Sequence, residues 1–101
     1  MPSTPRRATG ATAGVIPLVV DGVRGPNTNK AIEMWVGAPV DGSLGTSDVK
    51  LLQRKVGVGQ DGVVGPITTK AVQRTVGVAQ NGVWGSGTTA ALQAYLNRVL
   101  G

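Results

Sequence analysis

The sequence predicts an all-α fold, a compact bundle of short helices built from four repeats of about twenty residues that are joined by Asp-Gly turn loops. The first observation is a turn dipeptide that recurs every twenty residues, as Asp21-Gly22, Asp41-Gly42, Asp61-Gly62 and Asn81-Gly82. The second is a further glycine three positions after each pair, namely Gly25, Gly45, Gly65 and Gly85. The third is an apolar pattern of helical spacing after each of these glycines. Because one such unit cannot bury its apolar face alone, the four units are expected to pack on one another.

Each predicted helix begins directly after the second glycine of its repeat. Pro26 and Pro66 occupy a first helical position, where a proline removes no helical hydrogen bond. The equivalent first-turn positions hold oxygen-bearing side chains that are expected to accept bonds from the free N–H groups: Thr28, Asp48, Thr68 and Thr88.

The body of each predicted helix carries one apolar face. Apolar pairs four residues apart define that face: Ile32 and Val36, Leu52 and Val56, Val72 and Val76, and Leu92 and Leu96. A left-handed C-terminal cap is expected at Gly37, Gly57 and Gly77, and Asn97 takes this place in the last unit, whose helix is expected to run on to about Leu100. The loop dipeptides Val23-Arg24, Val63-Val64 and Val83-Trp84 are expected to pack back onto the core.

The chain ahead of the first repeat divides into two segments. Residues 1–14 are rich in Pro, Ser, Thr, Gly and Ala without apolar periodicity, which predicts a flexible linker. Residues 15–20 are apolar and are expected to pack on the first repeat as an extended, strand-like segment. Residues 15–101 therefore suit one small domain, which without cysteine must be stabilised by packing, turns and caps alone.

The residue types present exclude most catalytic chemistry. The sequence contains no His and no Cys, the groups that most acid/base and nucleophilic mechanisms use, so no catalytic residue is predicted. Zinc sites need the same residue types, and a loop with a single carboxylate falls short of a calcium-binding pattern. No metal and no cofactor is predicted. Asp21, Asp41 and Asp61 share one turn position and are interpreted as turn residues rather than as paired carboxylates.

The most specific motif in the sequence is DGVVGPITTKAVQ at residues 61–73. It is preceded by VKLLQ at 49–53 and followed by NGVWG at 81–85 and TTAAL at 88–92. Together these segments resemble the three-helix peptidoglycan-binding domain found on many bacterial wall hydrolases. The sequence departs from that pattern in three places. Gly45 is followed by Thr46-Ser47 rather than by Pro, Ser86-Gly87 replaces Gly-Pro in the last unit, and the usual aromatic residue before Gln is missing.

The resemblance implies that residues 45–101 form one such three-helix core and that residues 15–44 are an extra partial unit. In that family the domain binds wall polymer while a separate domain cuts it. The resemblance therefore implies a non-catalytic, monomeric module that directs an attached hydrolase, such as a phage endolysin or a bacterial autolysin, to the outside of the bacterial cell. The expected partner is peptidoglycan or an attached anionic wall polymer, with no nucleic acid and no membrane partner.

Six side chains are candidates for contact with such a polymer. Aromatic rings supply contact area for sugars and peptides, which selects Trp35, Trp84 and Tyr95, although each could instead belong to the core. Arg54 and Arg74 occupy equivalent positions on a basic helical face and could bind carboxylates or simply be solvated. Gln73 could hydrogen-bond acetamido or peptide groups, or serve only as an exposed helix former.

Three other functions remain open at this point. The net charge of +5 also suits a helical nucleic-acid-binding domain, although Arg6 and Arg7 lie in the predicted linker and few aromatics are present. Four repeats could present an apolar groove to a protein partner. A twenty-residue period also occurs in β-hairpin solenoids such as choline-binding repeats, but those need several aromatics in each repeat.

Overall fold

The computed structural model describes residues 15–101, so the predicted linker at 1–14 lies outside the described part of the chain. Four helices follow one another: α1 (Pro26–Val36), α2 (Thr46–Val56), α3 (Pro66–Val76) and α4 (Ser86–Leu100). Within residues 15–101 there is no strand. The all-α prediction is confirmed, and the β-hairpin alternative is wrong for this part of the chain. None of these helices is long and apolar enough to cross a bilayer.

The helices start and stop where local backbone chemistry favours it. Gly37, Gly57 and Gly77 adopt left-handed φ angles of 84°, 85° and 87° directly after α1, α2 and α3, a conformation that strains any residue with a Cβ. Each donates its N–H to a carbonyl four residues earlier, as Gly57 does to Gln53 at 2.9 Å. The first-turn prediction is wrong for the threonines, because the hydroxyls of Thr68 and Thr88 accept bonds from buried glutamine side chains instead.

The four helices form a closed ring. Helix α1 packs against α2 and α4, and α3 packs against the same two helices, so each helix has two neighbours and the ring has no open side. Its centre is filled by one aliphatic cluster to which every helix contributes, including Ile32, Leu52, Val72, Leu92 and Leu96. Residues 15–44, interpreted from the resemblance as an extra partial unit, therefore share a single core with residues 45–101.

The segment before α1 lies over the end of α4. Val15 and Leu18 are buried in the core, although the segment is not a strand. The Asn97 side chain accepts the Leu18 N–H at 2.6 Å and donates to the Leu18 carbonyl at 3.0 Å. Asn97 is therefore not the predicted helix cap. It sits inside α4, which continues to Leu100, and it ties the beginning of the domain to its end.

One tight turn recurs in the loop before each helix, and we number these loops in chain order as the first (residues 21–25), second (41–45), third (61–65) and fourth (81–85). In the third loop, Asp61 Oδ1 accepts the N–H of Val63 at 3.0 Å, and Gly62 between them has a φ of +80° that only glycine adopts easily. The expectation that the loop dipeptides pack on the core is wrong for Val23, Val63 and Val83, which are 64%, 64% and 66% exposed. It is also wrong for Arg24 and Val64, which are exposed. Trp84 does pack against the core.

Candidate functional site

Two of the predicted ligand residues meet at the seam between α1 and α4. Trp35 lies in the last turn of α1 and Tyr95 in the middle of α4. Their ring centroids are 5.5 Å apart with planes at 74°, an edge-to-face contact that aromatic quadrupoles favour. Both side chains are half-buried, and Trp35 packs against the aliphatic core. Each ring thus has one part in the protein and another open to a ligand.

A cationic side chain lies near each ring of this pair. Lys55 Nζ, in the last turn of α2, lies 5.8 Å from the centroid of the Trp35 ring. The Arg98 guanidinium, in the last turn of α4, lies 5.4 Å from the Tyr95 ring. Cations at this distance are attracted to the negative ring face by about 0.5–1 kcal/mol at exposed sites. We call Trp35, Lys55, Tyr95 and Arg98 the aromatic–cation cluster.

Trp84 lies elsewhere, in the fourth loop. Its Nε1 donates to Thr89 Oγ1 at 2.9 Å, which fixes the indole against the start of α4. The Arg24 guanidinium lies 5.5 Å from its ring, and both line a shallow pocket with Gly22, Val64 and Ser86. The third aromatic residue therefore also pairs with a cation, but it does not join the aromatic–cation cluster.

The two predicted arginines differ in their surroundings. Both are exposed in the last turns of their helices. Arg54 lines a shallow depression with Val36, Leu51 and Lys55, directly beside the aromatic–cation cluster. Arg74, on α3, contacts no aromatic ring of the described residues. Of the six predicted ligand residues, the structure thus brings Trp35 and Tyr95 into contact, and Arg54 lies beside Lys55 of the same cluster.

Gln73 is not available to a ligand, contrary to the expectation from the sequence. It is 1% exposed, not a solvated helix former, because its side chain holds the fourth loop. Its Nε2 donates to Asn81 Oδ1 at 2.8 Å, to the Val83 carbonyl at 3.0 Å and to Thr88 Oγ1 at 3.0 Å. Its Oε1 accepts the N–H of Gly82 at 3.0 Å. With every polar atom engaged inside the protein, Gln73 has none left for a ligand.

A cluster of carboxylates that the sequence did not predict lies at the second loop. Glu33 occupies the position that Gln73 has in its own repeat, and it too is fully buried. Its Oε1 accepts the N–H groups of Asp41 and Gly42 at 3.0 and 2.8 Å, while its Oε2 has no partner. Carboxylate oxygens of Glu33, Asp41 and Asp48 lie within 4.8 Å of one another.

The titration of these groups follows from their surroundings. Burial, as the largest cause, and the neighbouring carboxylates of Asp41 and Asp48 together raise the pKa of Glu33 to about 7. The contact with Glu33 and the N–H of Ser43 lower the pKa of Asp41. Two carboxyl groups with separated pKa values can serve as a catalytic acid and base. Here the complete burial of Glu33 keeps a substrate from its oxygens, so the arrangement favours a structural or ion-binding role.

Comparisons of the chain with protein-family models, with curated proteins and with solved structures find no match.

Proposed function

We propose that this chain is a non-catalytic module that binds peptidoglycan or an anionic polymer attached to it on the bacterial cell wall. The observation that carries the proposal is the aromatic–cation cluster. Trp35 and Tyr95 present two ring surfaces at a helix seam, and each ring has a cation 5.4 to 5.8 Å from its centroid. Wall polymers combine sugar rings with carboxylate or phosphate groups, and this cluster offers a complementary surface for both.

The charge distribution supports an anionic partner. From residue 15 onward there are eight Lys or Arg and five Asp or Glu, which gives +3. Three of the five acidic residues cluster at the second loop. The rest of the surface therefore has a net positive charge greater than +3. Arg98 and Arg54 each offer a planar fork that matches a carboxylate or a phosphate. The basic surface would raise the rate of encounter with an anionic polymer.

The absence of His and Cys from the sequence supports a binding role rather than catalysis. On this proposal, cutting of the wall belongs to a separate catalytic domain, in line with the sequence resemblance to wall-binding domains of hydrolases. A single copy needs only modest affinity, because attachment to an enzyme on a polymeric surface raises the effective concentration of the module.

Co-sedimentation with purified sacculi tests this function. The full chain is labelled and mixed with protein-free sacculi from several bacterial species, before and after removal of the attached secondary polymers. Saturable binding is expected for at least one source, and loss of binding after stripping would assign the ligand to the attached polymer. Failure to sediment with any sacculus at low and at moderate salt would overturn the proposal and favour a protein or nucleic-acid partner.

A further inference from the structure

Three of the four loops are held by one arrangement of a glutamine amide. Gln53 Nε2, in α2, donates to Asp61 Oδ1 at 2.7 Å, to the Val63 carbonyl at 3.0 Å and to Thr68 Oγ1 at 3.0 Å. Gln73 makes the same three bonds to the fourth loop, and Gln93 makes them to the first. In each case an NH₂ group, which only donates, lies among three oxygens, which accept.

The second loop has the same turn, but it lacks the glutamine NH₂ group that donates hydrogen bonds to the other three loops. Ser43 donates its N–H to Asp41 Oδ1 at 2.9 Å, and Gly42 has a φ of +84°, as in the other loops. The glutamine position, however, holds Glu33, and the threonine position holds Asp48. A carboxylate oxygen therefore stands where the other three loops have an NH₂ group, and a second carboxylate stands where they have a hydroxyl.

This replacement leaves one oxygen of a buried carboxyl group without a hydrogen-bond partner. Glu33 is 0% exposed, and its Oε2 has no hydrogen-bond partner. The Asp48 side chain is also buried, at 8% exposure, and Asp41 completes the group. Burying a charge is costly unless it is paired with an opposite charge or coordinates a metal. Lys30 does not supply a special compensation, because it packs beside Gly42 just as Lys50 packs beside Gly62 in a loop with a neutral glutamine.

We infer that Glu33, Asp41 and Asp48 form a binding site for a divalent cation of the calcium class. Carboxylate oxygens are the ligands that Ca²⁺ prefers, at 2.3–2.6 Å, so two oxygens that share the ion lie at most about 5 Å apart. The observed separation, within 4.8 Å for all three residues, satisfies this limit. The cation takes the place of the amide NH₂ group and cross-links α1, the second loop and α2.

The surroundings of the site suit an irregularly coordinated, partly hydrated ion. Ser43 holds the sequence position that Val63 has in the third loop, and it lines the same surface pocket as Asp41 and Asp48. A surface pocket lined by Pro39, Asp41, Ser43 and Asp48 gives access from solvent and room for water molecules. Calcium accepts six to eight oxygens in flexible geometry, whereas Mg²⁺ demands a near-ideal octahedron, so the site favours Ca²⁺.

Calorimetric and thermal titration of the full chain tests this site independently of wall binding. The protein is freed of divalent ions with a chelator and titrated with CaCl₂ and, separately, with MgCl₂. Saturable one-to-one binding of Ca²⁺ is expected, with a melting temperature that rises with Ca²⁺ concentration. No heat of binding and no shift in melting temperature up to about 10 mM CaCl₂, ten times the weak end of protein calcium sites, would overturn the inference.

Variants assign the binding to these residues. The double substitution Glu33→Gln with Asp48→Thr recreates the residue set of the third loop, so it is expected to fold while losing the Ca²⁺-dependent shift. Glu33→Gln alone is expected to weaken Ca²⁺ binding by about tenfold or more, since calcium affinity follows ligand charge. Asp61→Asn is the matched control, because Asn81 fills the same position in the fourth loop. Unchanged Ca²⁺ binding in the double variant would place the ion elsewhere and overturn the inference.

Discussion

Gln93 Nε2, in the last helix, donates a hydrogen bond of 3.0 Å to Asp21 Oδ1, in the loop that precedes the first helix. The same amide reaches the Val23 carbonyl at 2.9 Å and Thr28 Oγ1 at 3.0 Å. Each of Glu33, Gln53 and Gln73 holds the loop that follows it in the chain, but Gln93 holds the loop seventy residues before it. This contact closes the row of repeats into a ring.

Replacing the ring-closing glutamine is expected to destabilise the whole domain. Gln93→Ala leaves the Thr28 hydroxyl and the loop N–H groups without their partner and opens a cavity, which lowers the free energy of unfolding by about 2 to 4 kcal/mol. Urea denaturation followed by circular dichroism measures this loss. Gln60→Ala is the control, because Gln60 is exposed in a loop. Equal midpoints for the two variants would show that the closing contact adds nothing.

Removing the first repeat tests whether the ring is one cooperative unit. A chain of residues 45–101 retains α2, α3 and α4, the three-helix core that the resemblance implies. It loses α1, which packs against both α2 and α4, and every partner of the Gln93 amide. We expect this fragment to lack a cooperative unfolding transition, as judged by circular dichroism and by amide dispersion in NMR spectra. A fragment that unfolds cooperatively at the midpoint of the full chain would contradict a closed ring.

Replacing Glu33 by its neutral counterpart is expected to stabilise the protein in the absence of divalent cations. Glu33→Gln supplies an NH₂ donor to Asp41 and Asp48, so the unpaired buried oxygen is replaced by a satisfied group. At pH 7 in chelator, the free energy of unfolding is expected to rise by about 1–3 kcal/mol. Asp61→Asn, measured alongside, should change it by less than about 0.5 kcal/mol. A destabilised Glu33→Gln variant would mean that the carboxylate is already compensated.

The pKa of Glu33 also predicts how stability depends on pH. Its value of about 7 in the folded chain lies above the ordinary value of 4.5 that applies when the chain is unfolded. Between these two values the folded chain holds a proton that the unfolded chain has released, so stability falls as pH rises from about 4.5 to about 7. The pKa values of Asp21, Asp41 and Asp61 are lowered from 3.8, so they titrate below this window.

Urea denaturation in chelator at several pH values measures this dependence. The wild-type chain is expected to lose stability across the window, and Glu33→Gln is expected to lose most of that slope. A wild-type stability that rises between pH 4.5 and 7 would contradict a raised pKa for Glu33.

The positions of the helices were predictable because the turn glycines recur every twenty residues, and helices must fit between them. The ring was not predictable in the same way, because its closure depends on a contact between Gln93 and a loop seventy residues away. The burial of the glutamines was missed because a polar residue beside an apolar stripe normally indicates solvent exposure. A signal was present, however: Asp or Asn lies eight residues after each of Gln53 and Gln73, and Thr lies fifteen residues after.

The same spacing reveals the acidic cluster. Asp41 and Asp48 lie eight and fifteen residues after Glu33, so the three acids occupy the positions that Gln53, Asp61 and Thr68 hold around the third loop. This relation was missed because each loop, taken alone, contains a single carboxylate. The pairing of Trp35 with Tyr95 could not be predicted, because equivalent positions in a row of repeats become neighbours only when the ring closes.

Binding of charge-matched variants to sacculi tests the central claim most directly. Lys55→Gln with Arg98→Gln removes both cations from the aromatic–cation cluster, while Lys70→Gln with Arg74→Gln removes the same charge from exposed positions on α3. If the cluster binds the wall polymer, the first pair weakens co-sedimentation by about tenfold, about 1.4 kcal/mol, and the second by much less. Equal losses for the two pairs would mean that only net charge matters, and no loss for either would contradict a wall-binding role for the cluster.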